Sequence, residues 1–157
     1  MTYKVFLSHS STDKAWIEWI AANTRAIGVD VYLYEHDPQP GTYIASKIQQ
    51  AIQGSDALLV LLTQNSQFSP YVQQEIGFAQ ASKKLIIPLV QSGIQPQSLA
   101  MLQGREYIPF DPYNNPQETV SKLLTYLDGL HSAKKKSNDQ AILILGLLLL
   151  ILFGGKK

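Results

Sequence analysis

Short apolar runs alternate along this chain with segments in which apolar residues recur every three or four positions. Short runs bounded by Gly, Pro and polar residues are typical of β-strands, and the spaced segments are typical of amphipathic helices. The run 57–62 is apolar throughout, which is typical of a strand buried on both faces of a parallel sheet. The predicted strands are 3–7, 29–34, 57–62, 85–90 and 106–110.

Helical spacing predicts helices between and after these strands. The first begins near Asp13 and ends at Gly28, and the second runs from Ile44 to Gly54. The third begins at Ser69, which is a good N-cap, with Pro70 at the first helical position. Strands that alternate with helices predict an α/β fold with a doubly wound parallel sheet and right-handed crossovers. The last helix has an apolar stripe made of Val120, Leu123, Leu124, Leu127 and Leu130.

Two proline-containing segments depart from these regular patterns. Residues 35–41 contain two prolines and end in Gly41, which predicts an exposed loop of defined shape. Pro88 lies in the fourth predicted strand, and proline cannot donate to a strand ladder. We therefore expect Pro88 near the end of that strand or at a bulge.

The C-terminal region divides into a polar and an apolar part. Residues 131–140 are polar, include three consecutive lysines, and are interpreted as a linker after a domain of residues 1–130. Residues 141–153 are apolar on every face and would form a helix of roughly 20 Å, shorter than the ~30 Å hydrocarbon core. Flanking lysines can snorkel across that mismatch. We expect a membrane-anchoring helix over 141–155 that holds the domain on the cytoplasmic side, with a self-associating or re-entrant tail as the alternative.

Composition excludes several functional classes. Lys and Arg number 13 against 12 Asp and Glu, so charge gives no reason to expect nucleic-acid binding. There is no cysteine, and His9, His36 and His131 lie far apart, so no metal site is predicted. The first predicted strand leads into a Ser-His-Ser-Ser loop without the glycines of a P-loop or a dinucleotide fingerprint. A phosphate-accepting receiver domain would need acidic residues directly after the first and third strands, where this chain has Ser-His-Ser and Thr-Gln-Asn. A serine hydrolase would need a Gly-x-Ser-x-Gly turn, which the sequence lacks.

Glu75 is the main candidate for chemistry. Its helix begins near the carboxyl end of the third strand, the edge where open α/β sheets bind ligands. Tyr71 lies four residues earlier and shares a helix face with Glu75. The alternative interpretation is that Glu75 is an ordinary solvated glutamate of a surface helix.

Three motifs in order resemble the TIR (Toll/interleukin-1 receptor) domain family, particularly its bacterial members. They are Val5-Phe6-Leu7-Ser8-His9-Ser10-Ser11-Thr12-Asp13-Lys14, the loop ending Pro38-Gln39-Pro40-Gly41, and Ser69-Pro70-Tyr71-Val72-Gln73-Gln74-Glu75. The resemblance covers about residues 2–130 and implies a flavodoxin-like, five-stranded parallel sheet with helices on both faces. It also implies that the loop 35–42 borders the site and mediates assembly of TIR domains.

The resemblance further implies an activity. Many TIR domains cleave NAD+ at the nicotinamide–ribose bond with a glutamate of the third helix, which corresponds here to Glu75. NAD+ would be the substrate, and no cofactor or metal is expected. The family often has tryptophan where this chain has Tyr71, which keeps the aromatic character and departs from the pattern.

One carboxylate is enough for this reaction. Glycosidases that release an alcohol use two carboxylates, because the leaving oxygen must be protonated while the oxocarbenium-like centre is stabilised. Nicotinamide leaves NAD+ as a neutral base, so one anion that holds the ribose hydroxyls and stabilises positive charge suffices. We expect Glu75 in this role, Tyr71 against the ribose or nicotinamide, and a pocket lined by Phe6, Ser8, His9 and Ser10 and bordered by Gly41 and Tyr43.

Some of these residues have simpler interpretations. Phe6 suits a core position, Ser10 or Ser11 suits a helix cap, and Gly41 suits a turn. Two functions follow from the family: an assembly-activated NAD+ glycohydrolase or ADP-ribosyl cyclase in anti-phage or innate immune defence, or a non-enzymatic, membrane-tethered TIR adaptor. Glu75 favours the enzyme, because an adaptor has no need for a carboxylate in that cleft.

Overall fold

The described part of the chain alternates strands and helices in the predicted order. The structure is a computed structural model and describes residues 2–94, 102 and 104–136. Within them the strands are β1 (Lys4–Ser8), β2 (Asp30–Tyr32), β3 (Ala57–Leu62), β4 (Leu85–Gln91) and β5 (Ile108–Phe110). The α-helices are α1 (Lys14–Ala26), α2 (Ile44–Gln53), α3 (Pro70–Ala81) and α4 (Pro116–Lys136), and 3-10 turns cover Ser11–Asp13 and Tyr34–His36.

The five strands form one parallel sheet in the order β2-β1-β3-β4-β5. This is the flavodoxin-like order, in which connections run outward in both directions from β1 and β3. The predicted fold class is therefore confirmed for the domain. At this switch point the chain leaves β1 and β3 towards opposite faces of the sheet, to α1 and α3, and the fold leaves a crevice between the two connections.

The sheet is covered on both faces. All six side chains of β3 are buried, because this central strand packs against helices on each side. On one face, α1 and α4 contribute Ile17, Ile20, Leu123 and Leu127 to a core with Val5, Leu7 and Leu59. On the other face, α2 and α3 contribute Ile48, Ile52, Val72 and Ile76 to a core with Phe6, Leu58 and Val60.

Hydrogen bonds tie the carboxyl end of β3 to the turn before α1. The Ser66 hydroxyl donates to the Leu61 carbonyl at 2.7 Å and accepts the Thr63 amide N–H at 2.8 Å. The Thr63 hydroxyl donates to Asp13 Oδ2 at 2.7 Å, and the Asn65 amide donates to Asp13 Oδ1 at 3.0 Å. Because these groups are largely buried and mutually satisfied, the loops that follow β1 and β3 hold a fixed relative position.

The edges of the sheet depart from the expected boundaries. The second strand, expected over 29–34, is shortened to Asp30–Tyr32 and runs into a 3-10 turn. The expectation for Pro88 was wrong, because it lies mid-strand opposite Val60. The described part of β5 begins opposite Leu89, so the ladder with β5 starts only after the proline.

The last helix runs further than expected. It continues to Lys136, so residues 131–136, interpreted as linker, belong to α4. His131 and Ala133 are buried, and His131 Nδ1 accepts the Tyr3 amide N–H at 3.3 Å. Lys134 Nζ lies 2.8 Å from Asp56 Oδ2, which anchors the helix end beside the start of β3. Tertiary contacts thus extend α4 into a segment whose polar composition had suggested a linker.

The predicted hydrophobic helix over 141–155 lies outside the described residues. Among residues 2–94, 102 and 104–136, the structure contains no helix long and apolar enough to cross a bilayer.

Candidate active site

A cavity of about 380 Å³ opens at the carboxyl ends of β1 and β3. Its walls come from the loop after β1, the turn after β2, and the first turns of α2 and α3. Its volume is in the usual range for a small-molecule site, and its position is the switch point of the sheet. The lining residues are Phe6, Leu7, His9, Ser10, Ser11, Tyr34, Glu35, Ile44, Ile48, Ser69, Tyr71 and Glu75.

The start of α3 places Glu75 in this cavity. Ser69 is the N-cap, as predicted, and its hydroxyl accepts the Val72 amide N–H at 3.4 Å. Pro70 occupies the first helical position, so Glu75 lies in the second turn and faces inward. Only 8% of Glu75 is exposed. The alternative of a solvated helix glutamate is therefore wrong.

Burial changes the acid strength of Glu75. It raises the pKa of the carboxyl from 4.5 to about 7, the Ser8 hydroxyl opposes that shift, and the negative charge of Glu35 adds to it. Ser8 Oγ and Glu75 Oε2 are both fully buried, and within the described part of the chain neither makes a hydrogen bond of normal geometry. A buried carboxylate oxygen without a donor is a natural acceptor for ligand hydroxyl groups.

His9 connects the end of β1 to the turn after β2. Its Nδ1 lies 3.0 Å from the Leu7 carbonyl oxygen, and its Nε2 lies 2.6 Å from Glu35 Oε1. Since a carbonyl can only accept, Nδ1 carries a proton and the ring orientation is fixed. The His9 side chain is only 6% exposed, so this contact forms one wall of the cavity.

The aromatic residues divide between floor and mouth. Phe6 is 1% exposed and stacks on Tyr32 with ring centroids 5.3 Å apart, so it is both a core residue and part of the cavity floor. Tyr71 is 69% exposed at the mouth, one helical turn before Glu75. Tyr71 therefore offers an exposed aromatic ring at the edge of the cavity that Glu75 lines.

The remaining predicted residues are placed differently. Ser10 lines the cavity and also caps the following 3-10 turn by accepting the Thr12 amide N–H at 3.4 Å. Ser8 does not line the cavity but lies buried behind Glu75. The cavity lining also does not include Gly41 or Tyr43. Gly41 lies in a turn with φ +85°, and Tyr43 is 85% exposed.

The sequence interpretation did not single out several lining residues. Glu35 belongs to the loop 35–42, which was expected to border the site, but its side chain was not named. Tyr34 follows β2, and an aromatic residue at the carboxyl end of a neighbouring parallel strand is the signal that could have identified it. The helical spacing of Ile44 and Ile48 is that of any amphipathic helix, so it predicted core positions and gave no indication of a binding site. In the part of the chain that is described, no group of three or more acidic or histidine side chains is arranged to hold a metal ion.

Removal of the Ser8 hydroxyl should move the pKa of Glu75 upward. Ser8→Ala removes a hydroxyl that lowers this pKa, so we expect a value above about 7. Titration of the ¹³C-labelled Glu75 carboxyl by NMR measures it. Ser10→Ala is the matched control, because the Ser10 hydroxyl bonds to Thr12 at 2.8 Å. An unchanged pKa in Ser8→Ala would contradict this account.

The fold and cavity together define a flavodoxin-like α/β domain with a buried carboxylate at the carboxyl edge of its sheet. The sequence profile described as TIR domain matches residues 5–124. The chain therefore belongs to the TIR domain family. A search of curated protein sequences finds no significant match.

Solved structures support the same fold. The TIR domain of the Toll-related receptor TRR-2 from Hydra magnipapillata superposes with a TM-score of 0.59 at 19% identity, over 69% of this chain and 84% of that one. The TIR domains of the activated Roq1 resistosome, which recognises the pathogen effector XopQ, give 0.54 at 16% identity, over 96% and 83%. The Clostridium botulinum CMP N-glycosidase BcmB gives 0.55 at 24% identity, over 76% and 97%.

Proposed function

We propose that this TIR domain cleaves NAD+ at the nicotinamide–ribose bond, with Glu75 as its catalytic residue. The observation that carries the proposal is the buried Glu75 carboxyl, whose Oε2 has no hydrogen-bond partner in the described chain and which lines the switch-point cavity. Perturbed carboxyl groups in such cavities are characteristic of catalytic sites. NAD+ is a substrate in this proposal, with no cofactor.

The proposed reaction needs Glu75 in its ionised form. The bond between ribose C1′ and the nicotinamide nitrogen breaks, and its electron pair leaves with nicotinamide as a neutral base. Glu75 accepts hydrogen bonds from the ribose hydroxyls and stabilises the positive charge that develops on the ring. Water then adds at C1′ and loses a proton to give ADP-ribose, or an adenine nitrogen adds to give a cyclic isomer.

The neighbouring side chains position the substrate. Tyr71 packs against the nicotinamide or ribose at the mouth, and Phe6 supports the floor. The His9–Glu35 contact holds the opposite wall. Because Phe6 is buried and His9 is held by hydrogen bonds at both ring nitrogens, this part of the cavity is fixed before substrate arrives, and Glu75 meets the ribose in a defined orientation.

A pyrimidine nucleotide is the competing substrate. BcmB is named as a CMP N-glycosidase, and the bond in CMP, like that in NAD+, joins a base to C1′ of a ribose 5′-phosphate. Cytosine leaves more readily when protonated, whereas nicotinamide needs no proton. Glu35, the second carboxylate that lines the cavity, is engaged by His9 at 2.6 Å, which leaves Glu75 as the carboxylate available to the substrate. NAD+ is therefore the better match, and CMP is the comparison substrate for the assay.

A non-enzymatic adaptor is the second candidate function. Large apolar side chains are exposed near the cavity, among them Phe68 at 71% and Tyr43 at 85%, and such side chains suit contacts between domains. TIR domains commonly self-associate, as the resistosome neighbour illustrates. The two roles are compatible, since assembly of TIR domains can complete a site. A docking surface alone, however, gives no reason to bury an unpaired carboxyl, which favours the enzyme.

We propose that the segment 141–155 anchors the domain to a membrane, with the domain on the cytoplasmic side. Lys134 near the end of α4 bonds to the Thr2 carbonyl and to Asp56, at the amino edge of the sheet. The cavity lies at the carboxyl edge. A membrane attached after α4 would thus leave the cavity accessible, and tethering would raise the effective concentration for assembly. A role in anti-phage or innate immune defence is part of this proposal.

The test is the consumption of NAD+ by the full chain. Chromatography of NAD+, CMP, nicotinamide and ADP-ribose at several protein concentrations identifies the substrate and product, and a steeper-than-linear dependence on concentration indicates activation by assembly. A mock preparation from cells that do not express the protein, purified in parallel, corrects for contaminating enzymes. Loss of NAD+ above that background supports the proposal. Equal, background-level loss at every concentration would favour the adaptor.

A further inference from the structure

A second cavity adjoins the one that contains Glu75. It has a volume of about 300 Å³ and shares Tyr34, Glu35 and Ile44 with the first. Its other walls are the loop residues Pro38, Gln39, Pro40 and Thr42 and the side chain of Lys47. Because the two cavities share a wall, a ligand too large for the first can continue into the second.

Lys47 brings a buried positive charge to this second cavity. The residue is only 7% exposed, and its ammonium donates to the Asp37 carbonyl and lies 4.3 Å from the centroid of the Tyr34 ring. It forms no ion pair with a carboxylate among the residues that the structure describes. Lysines this deeply buried are usually paired with an anion. The ammonium has three N–H donors, and a carbonyl and an aromatic face do not neutralise its charge.

The nearby acidic groups are directed elsewhere. Glu35 lies on the shared wall, but its carboxylate contacts His9 at 2.6 Å. The Asp37 carboxylate accepts the Tyr32 hydroxyl at 2.8 Å and the Gln39 amide at 2.8 Å. Lys47 also lies in the first turn of α2, whose N-cap Tyr43 supplies no capping side chain, so the helix dipole adds positive potential. The second cavity is therefore suited to an anion.

We propose that Lys47 and the second cavity bind the phosphate groups of a nucleotide whose ribose lies against Glu75. This inference rests on the proposed function, in which the scissile bond of the nucleotide is held at Glu75. The phosphates of NAD+ are attached through the 5′ carbon of that ribose, so they must leave the first cavity on the side away from nicotinamide. Lys47 supplies a charge-assisted hydrogen bond to them.

The test is the binding of ADP-ribose to the full chain by isothermal titration calorimetry. ADP-ribose carries both phosphates and has no nicotinamide to lose. Lys47→Met keeps the length of the side chain and removes its charge, and we expect it to weaken binding about tenfold or more. Lys47→Arg should retain most of the affinity. A second readout is turnover, in which Lys47→Met should raise KM for NAD+ and leave KM for nicotinamide riboside, which has no phosphate, unchanged.

Lys47 also bonds to the Asp37 carbonyl, so its substitution could change the shape of the loop as well as the charge of the cavity. A second variant separates these two effects. Tyr32→Phe removes the hydroxyl that bonds to the Asp37 carboxylate and leaves Lys47 in place. We expect ADP-ribose binding to be unchanged in Tyr32→Phe. An equal loss of ADP-ribose affinity in Tyr32→Phe and Lys47→Met would overturn the subsite. Equal affinity of Lys47→Met and wild type would also overturn it, and so would the absence of ADP-ribose binding by both proteins.

The outcomes distinguish this inference from the proposed activity. Lys47-dependent binding of ADP-ribose without consumption of NAD+ would support the phosphate subsite and contradict cleavage. Glu75-dependent consumption of NAD+ with an unchanged KM in Lys47→Met would support cleavage and overturn the subsite.

Discussion

Glu75→Gln should lower the rate of NAD+ cleavage by about a thousandfold. The carboxamide keeps the shape of the side chain but carries no charge, so it cannot stabilise the positive charge that develops on the ribose. Loss of one preorganised electrostatic group in an active site reduces kcat by about 10²–10³-fold. Chromatographic initial rates for the two proteins, at equal concentration and with NAD+ in excess, measure the change.

Glu118→Gln is the matched control for that experiment. Glu118 is exposed on α4, on the other face of the sheet from α3, and pairs with Lys122 at 3.0 Å. Its substitution should leave the rate unchanged. The wild-type kcat/KM should rise with pH through about 7, because the ionised form of Glu75 is the active one. Substantial residual activity in Glu75→Gln would remove Glu75 from the mechanism.

The stability of the wild-type protein should carry a pH-dependent contribution from Glu75. Its pKa is 4.5 when unfolded and about 7 when folded, so between these values the folded state holds a proton that the unfolded state has lost. The contribution of Glu75 is therefore fully favourable below pH 4.5 and is lost as pH rises towards about 7. Each pKa unit corresponds to about 1.4 kcal/mol, which gives roughly 3 kcal/mol in total.

Glu75→Gln isolates this contribution from other titrating groups. The free energy of unfolding of Glu75→Gln, relative to wild type, should increase by roughly 3 kcal/mol between pH 4 and pH 8. Urea denaturation of both proteins at several pH values measures it, and Glu118→Gln controls for the removal of a carboxylate at an exposed site. A difference that stays constant across this range would show that Glu75 is not buried as described. The expected combination of lower activity and higher stability at pH 8 is characteristic of a residue kept for function.

The local patterns predicted the elements that depend on local interactions. The strand at Ala57–Leu62 and the helix start at Ser69 were predicted correctly. A fully buried strand requires a continuous apolar run, and an N-cap requires a particular residue type, so both are visible in the local sequence. Pro88 was placed wrongly, since where a strand can tolerate proline depends on where its partner strand begins. The extension of α4 to Lys136 was also missed, because His131 and Lys134 contact residues far away in sequence, at the start of the chain and just before β3.

The candidate site was predicted in part for the same reason. Glu75, Tyr71, Phe6, His9 and Ser10 line the cavity, as expected from the carboxyl ends of β1 and β3. Gly41 and Tyr43, expected to border the cavity, are not among its lining residues, although their neighbours Thr42 and Ile44 line the adjoining cavity. The role of Ser8 also changed: its side chain is buried behind Glu75 and affects the pKa of that carboxyl.

The sequence by itself determined the alternation of strands and helices, the parallel sheet, the TIR motifs and the choice of Glu75. Apolar periodicity and capping are properties of neighbouring residues, so they can be interpreted without a structure. Only the tertiary structure decided that Glu75 is buried, that His9 meets Glu35, and that Lys47 faces an adjoining cavity. Burial and charge pairing depend on residues far apart in the chain, and these determine the pKa of a carboxyl and the anion preference of a lysine.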